Sequence, residues 1–225
     1  MSVLNRLIAA QLHRNTRVSR ADIFGPSDIR YMPIRYVEDA ALMYPGYVGS
    51  KYRKEGTVVF GVNPGGGGDA YDRHPDDEEL YCAIRSLVRT KPQHLEKELS
   101  ELNRIFERIV QSWNLWGIFA PTLDALGVQL NEVCYLNAVP YRTRENKKPP
   151  VPAQSESWRQ VIHPTLELLR PAKIVALGKA AGQIVARFST SPARTYVVPR
   201  TNGDTYLCQD AVDILQRIQE ERDTS

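Results

Sequence analysis

Long apolar runs are missing from this sequence. No stretch approaches the length of a membrane span, and the N-terminus has no apolar segment suited to a secretory signal. Cysteine is scarce: Cys82, Cys134 and Cys208 are odd in number and far apart. That argues against a disulfide framework and for a reducing compartment, so a cytoplasmic protein is the default expectation. No Cys-x-x-Cys pair exists, and His13, His74, His94 and His163 show no ligand spacing, so neither a metal nor another cofactor is expected. Charge of one sign is also weak, a net +3, and a nucleic-acid partner would need its positive charge gathered on one face.

What is present fits one α/β domain. The 225 residues can bury one sizeable core, with no repeat and no linker to divide it. A monomer is expected. Residues 3–12 place Leu4, Leu7, Ile8 and Leu12 on one helical face, and residues 22–52, rich in Pro, Gly and Tyr, read as an irregular lead-in. Residues 1–50 are thus expected to form an extension packed on the domain. The apolar runs 57–62, 133–138, 173–177 and 196–199 read as strands. Between them, helices are expected at about 77–90, 93–113, 156–169 and 179–188, with a last one carrying Ala211, Ile214, Leu215 and Ile218 on one face. This alternation predicts a three-layer α/β/α sandwich around a central, mainly parallel four-stranded sheet.

In an open parallel sheet, ligands bind beyond the carboxyl ends of the strands. Four polar or glycine-rich segments follow the apolar runs: 63–69, 137–148, 178–181 and 199–204. The first, Gly61-Val62-Asn63-Pro64-Gly65-Gly66-Gly67-Gly68, lacks the Gly-Lys-Ser/Thr ending of a P-loop and misses the dinucleotide spacing. Read alone it is equally a flexible turn.

The combination is more specific. The Gly-x-Asn-Pro-Gly loop resembles the first motif of the uracil-DNA glycosylases, above all their mismatch-specific and single-strand-selective branches. Tyr135-Leu136-Asn137-Ala138-Val139-Pro140-Tyr141-Arg142, with Arg144, Lys147, Lys148 and the prolines after them, is similar to the strand-Asn and basic loop of the iron–sulfur branch. Leu168-Leu169-Arg170-Pro171-Ala172-Lys173-Ile174-Val175-Ala176-Leu177-Gly178 resembles the same branch's helix–Pro–strand–Leu-Gly segment. The likeness spans residues 57–205. It departs in two places: the histidine of the last motif is replaced by Val198, and the four cluster cysteines are absent.

The resemblance implies an enzyme that extrudes a base from DNA and hydrolyses its N-glycosidic bond. Asn63 would position water, by hydrogen bonds rather than as a base. Asn137 would read the base edge; Val62, Pro64, Gly65 and Gly66 would line the base, with the backbone amides of this loop, apart from Pro64, which has no N–H, able to bind a carbonyl of the base; Tyr71 is a candidate for stacking on the flipped ring. With Val198 unable to donate, Arg200 or Asn202 would serve the departing anion, or activity would be weak or lost. Arg142, Arg144, Lys147, Lys148 and Lys179, beside Tyr141, would hold the DNA backbone. The glycine run puts no side chain against the base, so a pocket open to 5-substituted pyrimidines is expected. Two other classes stay open: an inert nucleic-acid-binding relative, and an unrelated α/β enzyme binding nucleotides through the glycine loop.

Overall fold

A computed structural model describes residues 3–65, 75–200 and 207–224. In chain order the elements are α1 (Val3–Asn15), α2 (Arg20–Phe24), α3 (Asp28–Tyr31), α4 (Val37–Ala41), β1 (Tyr47–Val48), β2 (Thr57–Gly61), α5 (Pro75–Arg89), α6 (Leu95–Ile109), α7 (Trp116–Leu126), β3 (Val133–Asn137), α8 (Val151–Ser157), α9 (His163–Leu169), β4 (Lys173–Leu177), α10 (Lys179–Phe188), β5 (Arg194–Val198) and α11 (Gln209–Asp223). A π-helical stretch, Trp158–Ile162, joins α8 to α9, so the expected 156–169 helix starts five residues earlier, at Val151.

The sheet has five strands, not four, in the order β1-β3-β2-β4-β5. The four expected strands run parallel to one another, and the fifth, β1, runs antiparallel along β3 with Tyr47 opposite Tyr135. At two residues β1 is too short to show a period. The architecture is α/β and compatible with the expected sandwich. Every residue of β2 and β3 is buried, which is why these strands read as continuous apolar runs rather than alternating ones.

Side chains alternate across the sheet, and each face is covered by helices. On one face Tyr135 lies 5.7 Å from Phe106 of α6 and 5.6 Å from Phe119 of α7. On the other, Phe60 stacks on Trp158 at 5.8 Å, and Trp158 meets Phe188 of α10 at 6.2 Å. α10 sits so close to β5 that a Cβ on Gly182 would fall 2.6 Å from a Val197 methyl.

Residues 22–52 are not irregular throughout: they hold most of α2, all of α3, α4 and β1. The first fifty residues pack into the domain. Ile8, Leu12, Ile23, Phe24, Met43 and Tyr44 belong to the same apolar core as the strands. Leu7, expected on the buried face of α1, is half exposed. Among the described residues, no helix is long and apolar enough to cross a membrane.

Candidate functional site at the carboxyl ends of the central strands

From β2 the chain leaves towards β3, and from β4 it leaves towards β5. The connections from these two neighbours therefore diverge, and a crevice opens at their carboxyl ends, the usual ligand position in such sheets. Asn63 follows β2 there, Asn137 ends β3, and Gly178 follows β4. The loops after β2 and β3 set out side by side: the Ala138 amide donates to the Gly61 carbonyl at 3.0 Å and the Val139 amide to that of Val62 at 2.8 Å.

Gly61 is fixed by its neighbours. A Cβ at this position would lie 2.5 Å from the Tyr135 hydroxyl oxygen and 2.8 Å from Asn137 Oδ1. Gly65 is the opposite case: among the described residues, nothing lies within 4 Å of an added Cβ.

The Asn63 amide is oriented by a hydroxyl. Asn63 Nδ2 donates to Thr143 Oγ1 at 3.0 Å and to the Pro64 carbonyl at 3.2 Å. Thr143 is fully buried, and its own hydroxyl donates to the Lys147 carbonyl at 2.6 Å. With its hydrogen committed to a carbonyl that can only accept, Thr143 has a lone pair to offer, so Asn63 must turn its NH2 inward. Asn63 Oδ1, an acceptor, is left without a hydrogen-bond partner among the described residues.

Asn137 is held the other way round. It is 3% exposed, and the Tyr135 hydroxyl donates to its Oδ1 at 3.2 Å. Its Nδ2, a donor, has no partner among the described residues. Burial pushes the Tyr135 phenol up to about 12, against the pull of the nearby Arg200 charge. The Arg200 stem runs past Gly178, where a Cβ would meet Arg200 Cδ at 3.4 Å. Arg200 thus lies by the same crevice, near Tyr135. Val198, at the histidine position of the resemblance, is fully buried in β5, and its carbonyl accepts from the Gly178 amide at 2.7 Å.

The basic loop divides. Tyr141 and Arg142 point inward: Tyr141 is 1% exposed and donates its hydroxyl to the Val18 carbonyl at 2.5 Å. Arg142, 6% exposed, pairs with Asp77 of α5 at 3.2 Å and lies 4.9 Å from the Tyr81 ring centre. Neither belongs to an exposed DNA clamp; both anchor the loop. Glu145 and Asn146 then take positive φ, 53° and 54°, which turns the chain outward. Arg144 is half-buried, while Lys147 and Lys148 are exposed. Lys147 pairs with Glu145 at 2.6 Å, and Lys148 donates to Gln183 of α10 at 2.9 Å. Lys179, at the start of α10, is exposed and 3.9 Å from Asp210.

Three contributors escaped sequence reasoning. Tyr135 and Thr143 orient the two amides. Arg20 braces the loop from the N-terminal region: its buried guanidinium donates to the carbonyls of Arg142 at 2.6 Å, Ala40 at 3.2 Å and Tyr31 at 2.8 Å, and pairs with Asp28 at 2.6 Å. The i, i+2 spacing of Tyr135 and Asn137 on one strand was the available sign for the first; nothing local marks the other two. Gly66, Tyr71, His74 and Asn202 lie outside the described residues. Among those described, no group of three or more His, Cys, Asp or Glu is placed to hold a metal ion. Two surface hollows lie away from the crevice, one of about 490 Å³ between α7 and α11, the other of about 500 Å³ around Cys82, Arg85 and Arg89 on α5.

No family model matches the chain, and no curated protein matches it.

Proposed function

We propose that this chain is a monofunctional DNA glycosylase with the three-layer fold of the uracil-DNA glycosylases. It would hydrolyse the N-glycosidic bond of a flipped uracil or 5-modified pyrimidine and leave an abasic site, in repair or in defence against modified viral DNA. One observation carries the reading: two amides at the ends of adjacent strands, one presenting an acceptor and the other a donor.

The reaction needs both. As the bond from C1′ to the base nitrogen breaks, its electron pair leaves with the base and the sugar becomes cationic. Asn63 Oδ1 accepts from a water and holds it for attack at C1′; a dissociative reaction asks little of a general base. The water's hydroxyl goes to C1′, and its other proton ends on the base. Asn137 Nδ2 donates to the base edge, and the permanent charge of Arg200 stabilises the developing anion. No described residue lies within 4 Å of a Cβ added at Gly65, which supports room for a substituent at carbon 5. Arg144, Lys147, Lys148 and Lys179 are the cations of the described surface that would meet the DNA backbone.

Oligonucleotides carrying uracil, 5-hydroxymethyluracil or bulkier 5-substituted pyrimidines, treated with alkali after incubation, test the reading. Strand breaks at the modified site are expected; their absence across the panel would overturn it. The buried Val198 favours a second reading, a relative that binds DNA without turnover. It predicts retained binding with no abasic product at high enzyme.

A further inference from the structure

We propose that residues 29–37 form a second DNA-binding surface beside the crevice, one that holds unpaired bases next to the flipped nucleotide. The inference takes its partner from the glycosylase reading. The segment itself lies outside residues 57–205, the stretch that resembles the family.

Three of the six large apolar side chains exposed among the described residues fall in this short segment. Ile29 is 86% exposed, Ile34 55% and Val37 45%. Single exposed aliphatic residues are ordinary, but three in so short a stretch ask for a partner. The backbone that carries them is tied down. The Met32 amide donates to the Asp28 carbonyl at 2.8 Å, the Tyr31 ring lies 5.7 Å from that of Phe24, and Pro33 is buried.

The segment's position points to the partner. One guanidinium, that of Arg20, donates to the carbonyls of Tyr31, Ala40 and Arg142. Residues 31–40 thus make a loop closed at its base by Arg20, and that base rests on the wall after β3. Thr143, the residue after Arg142, holds Asn63. The Tyr44 amide ties the same chain to the Pro140 carbonyl at 2.8 Å.

The chemistry points to unpaired bases. Arg30 and Arg35 are exposed beside Ile29 and Ile34, while the Asp28 carboxylate pairs with Arg20 at 2.6 Å. The exposed carboxylate Glu38 lies beyond Val37, so the positive charge sits with the two isoleucines. Cations suit phosphates. Aliphatic side chains gain nothing from a charged backbone; they need base faces, which a closed duplex keeps stacked together. Extruding a base opens that stack and exposes its neighbours.

Fluorescence anisotropy with two oligonucleotides tests the proposal: a duplex with a central bubble of unpaired thymines, and the same duplex fully paired. Ile29→Ser combined with Ile34→Ser should weaken bubble binding roughly 10- to 30-fold, and paired-duplex binding less than about twofold. Ile29→Leu combined with Ile34→Leu keeps the apolar surface and should bind the bubble as the unchanged protein does. Arg30→Gln should flatten the log–log salt dependence of bubble binding by about 0.7. Equal loss on both DNAs, a loss that the leucine pair shares, or no loss at all overturns the proposal. So does a sedimentation coefficient that falls with the serine pair, which would assign the surface to a second copy of this chain. The glycosylase reading is judged separately, by excision across the modified-base panel. Bubble selectivity without excision sustains the surface and overturns that reading; excision without bubble selectivity does the reverse.

Discussion

The two walls of the crevice are built differently. The wall after β3 is pinned from three sides: Tyr141 to the Val18 carbonyl, Arg142 to Asp77 on α5, and the Arg142 carbonyl to Arg20. The wall after β2 carries Asn63 and then Gly65, where an added Cβ would meet none of the described residues. The pinned wall also reaches across, since its Thr143 orients Asn63. Geometry is supplied by the braced side and room by the bare side. A site organised this way can hold its reacting groups tightly while it tolerates variation in what it binds.

Arg142→Ala attacks the brace most directly. It leaves Asp77, 5% exposed, without its buried cation, and should cost about 3 kcal/mol of stability, read as a lower urea midpoint. A loss below about 1 kcal/mol would mean that the pair is not what holds this wall. Asn63→Ala removes the acceptor on the bare side; turnover should fall roughly 100- to 1,000-fold with DNA affinity kept. Normal cleavage by this variant would take Asn63 out of the chemistry.

Thr143→Val tests the bridge between the walls. The isosteric change removes the hydroxyl, so the Asn63 amide can reverse, and kcat should drop about tenfold at constant KM. Thr143→Ser should restore it. The smallest effect is expected at Gly65, where φ lies outside the left-handed region and an added methyl meets none of the described residues. Gly65→Ala should shift stability by less than about 0.5 kcal/mol. It should nonetheless slow excision of bulky 5-substituted bases relative to unsubstituted ones; equal slowing of both would place the substituent elsewhere.

Much of this fold is legible in the sequence, and the reasons differ by element. β4 and α10 begin and end at the expected residues, because a continuous apolar run flanked by Pro171 and Gly178 admits little else. Asn63 and Asn137 were visible as motif residues, and the structure brings their strands side by side, Gly61 in register with Asn137. Tyr141 and Arg142 were read as surface because an aromatic and a cation in a basic, proline-rich stretch look alike whether they face in or out. Their partners Val18 and Asp77 are remote in sequence, and no local pattern announces them. β1 and the short helices before it stayed hidden for a related reason: two to five residues repeat no period, and their stability comes from packing on the core. Five-strandedness was lost with β1.

The Arg20 brace has a consequence for how the molecule comes into being. Its hydrogen bond to Arg142 joins residues 122 apart in the chain, so a ribosome completes the brace's donor long before the carbonyl it needs. Until the loop after β3 emerges, the segment around Arg20 has no carbonyl of Arg142 to bind and no Tyr141 ring to cover it. A nascent chain stalled before residue 140 would therefore lack the wall that orients Asn63.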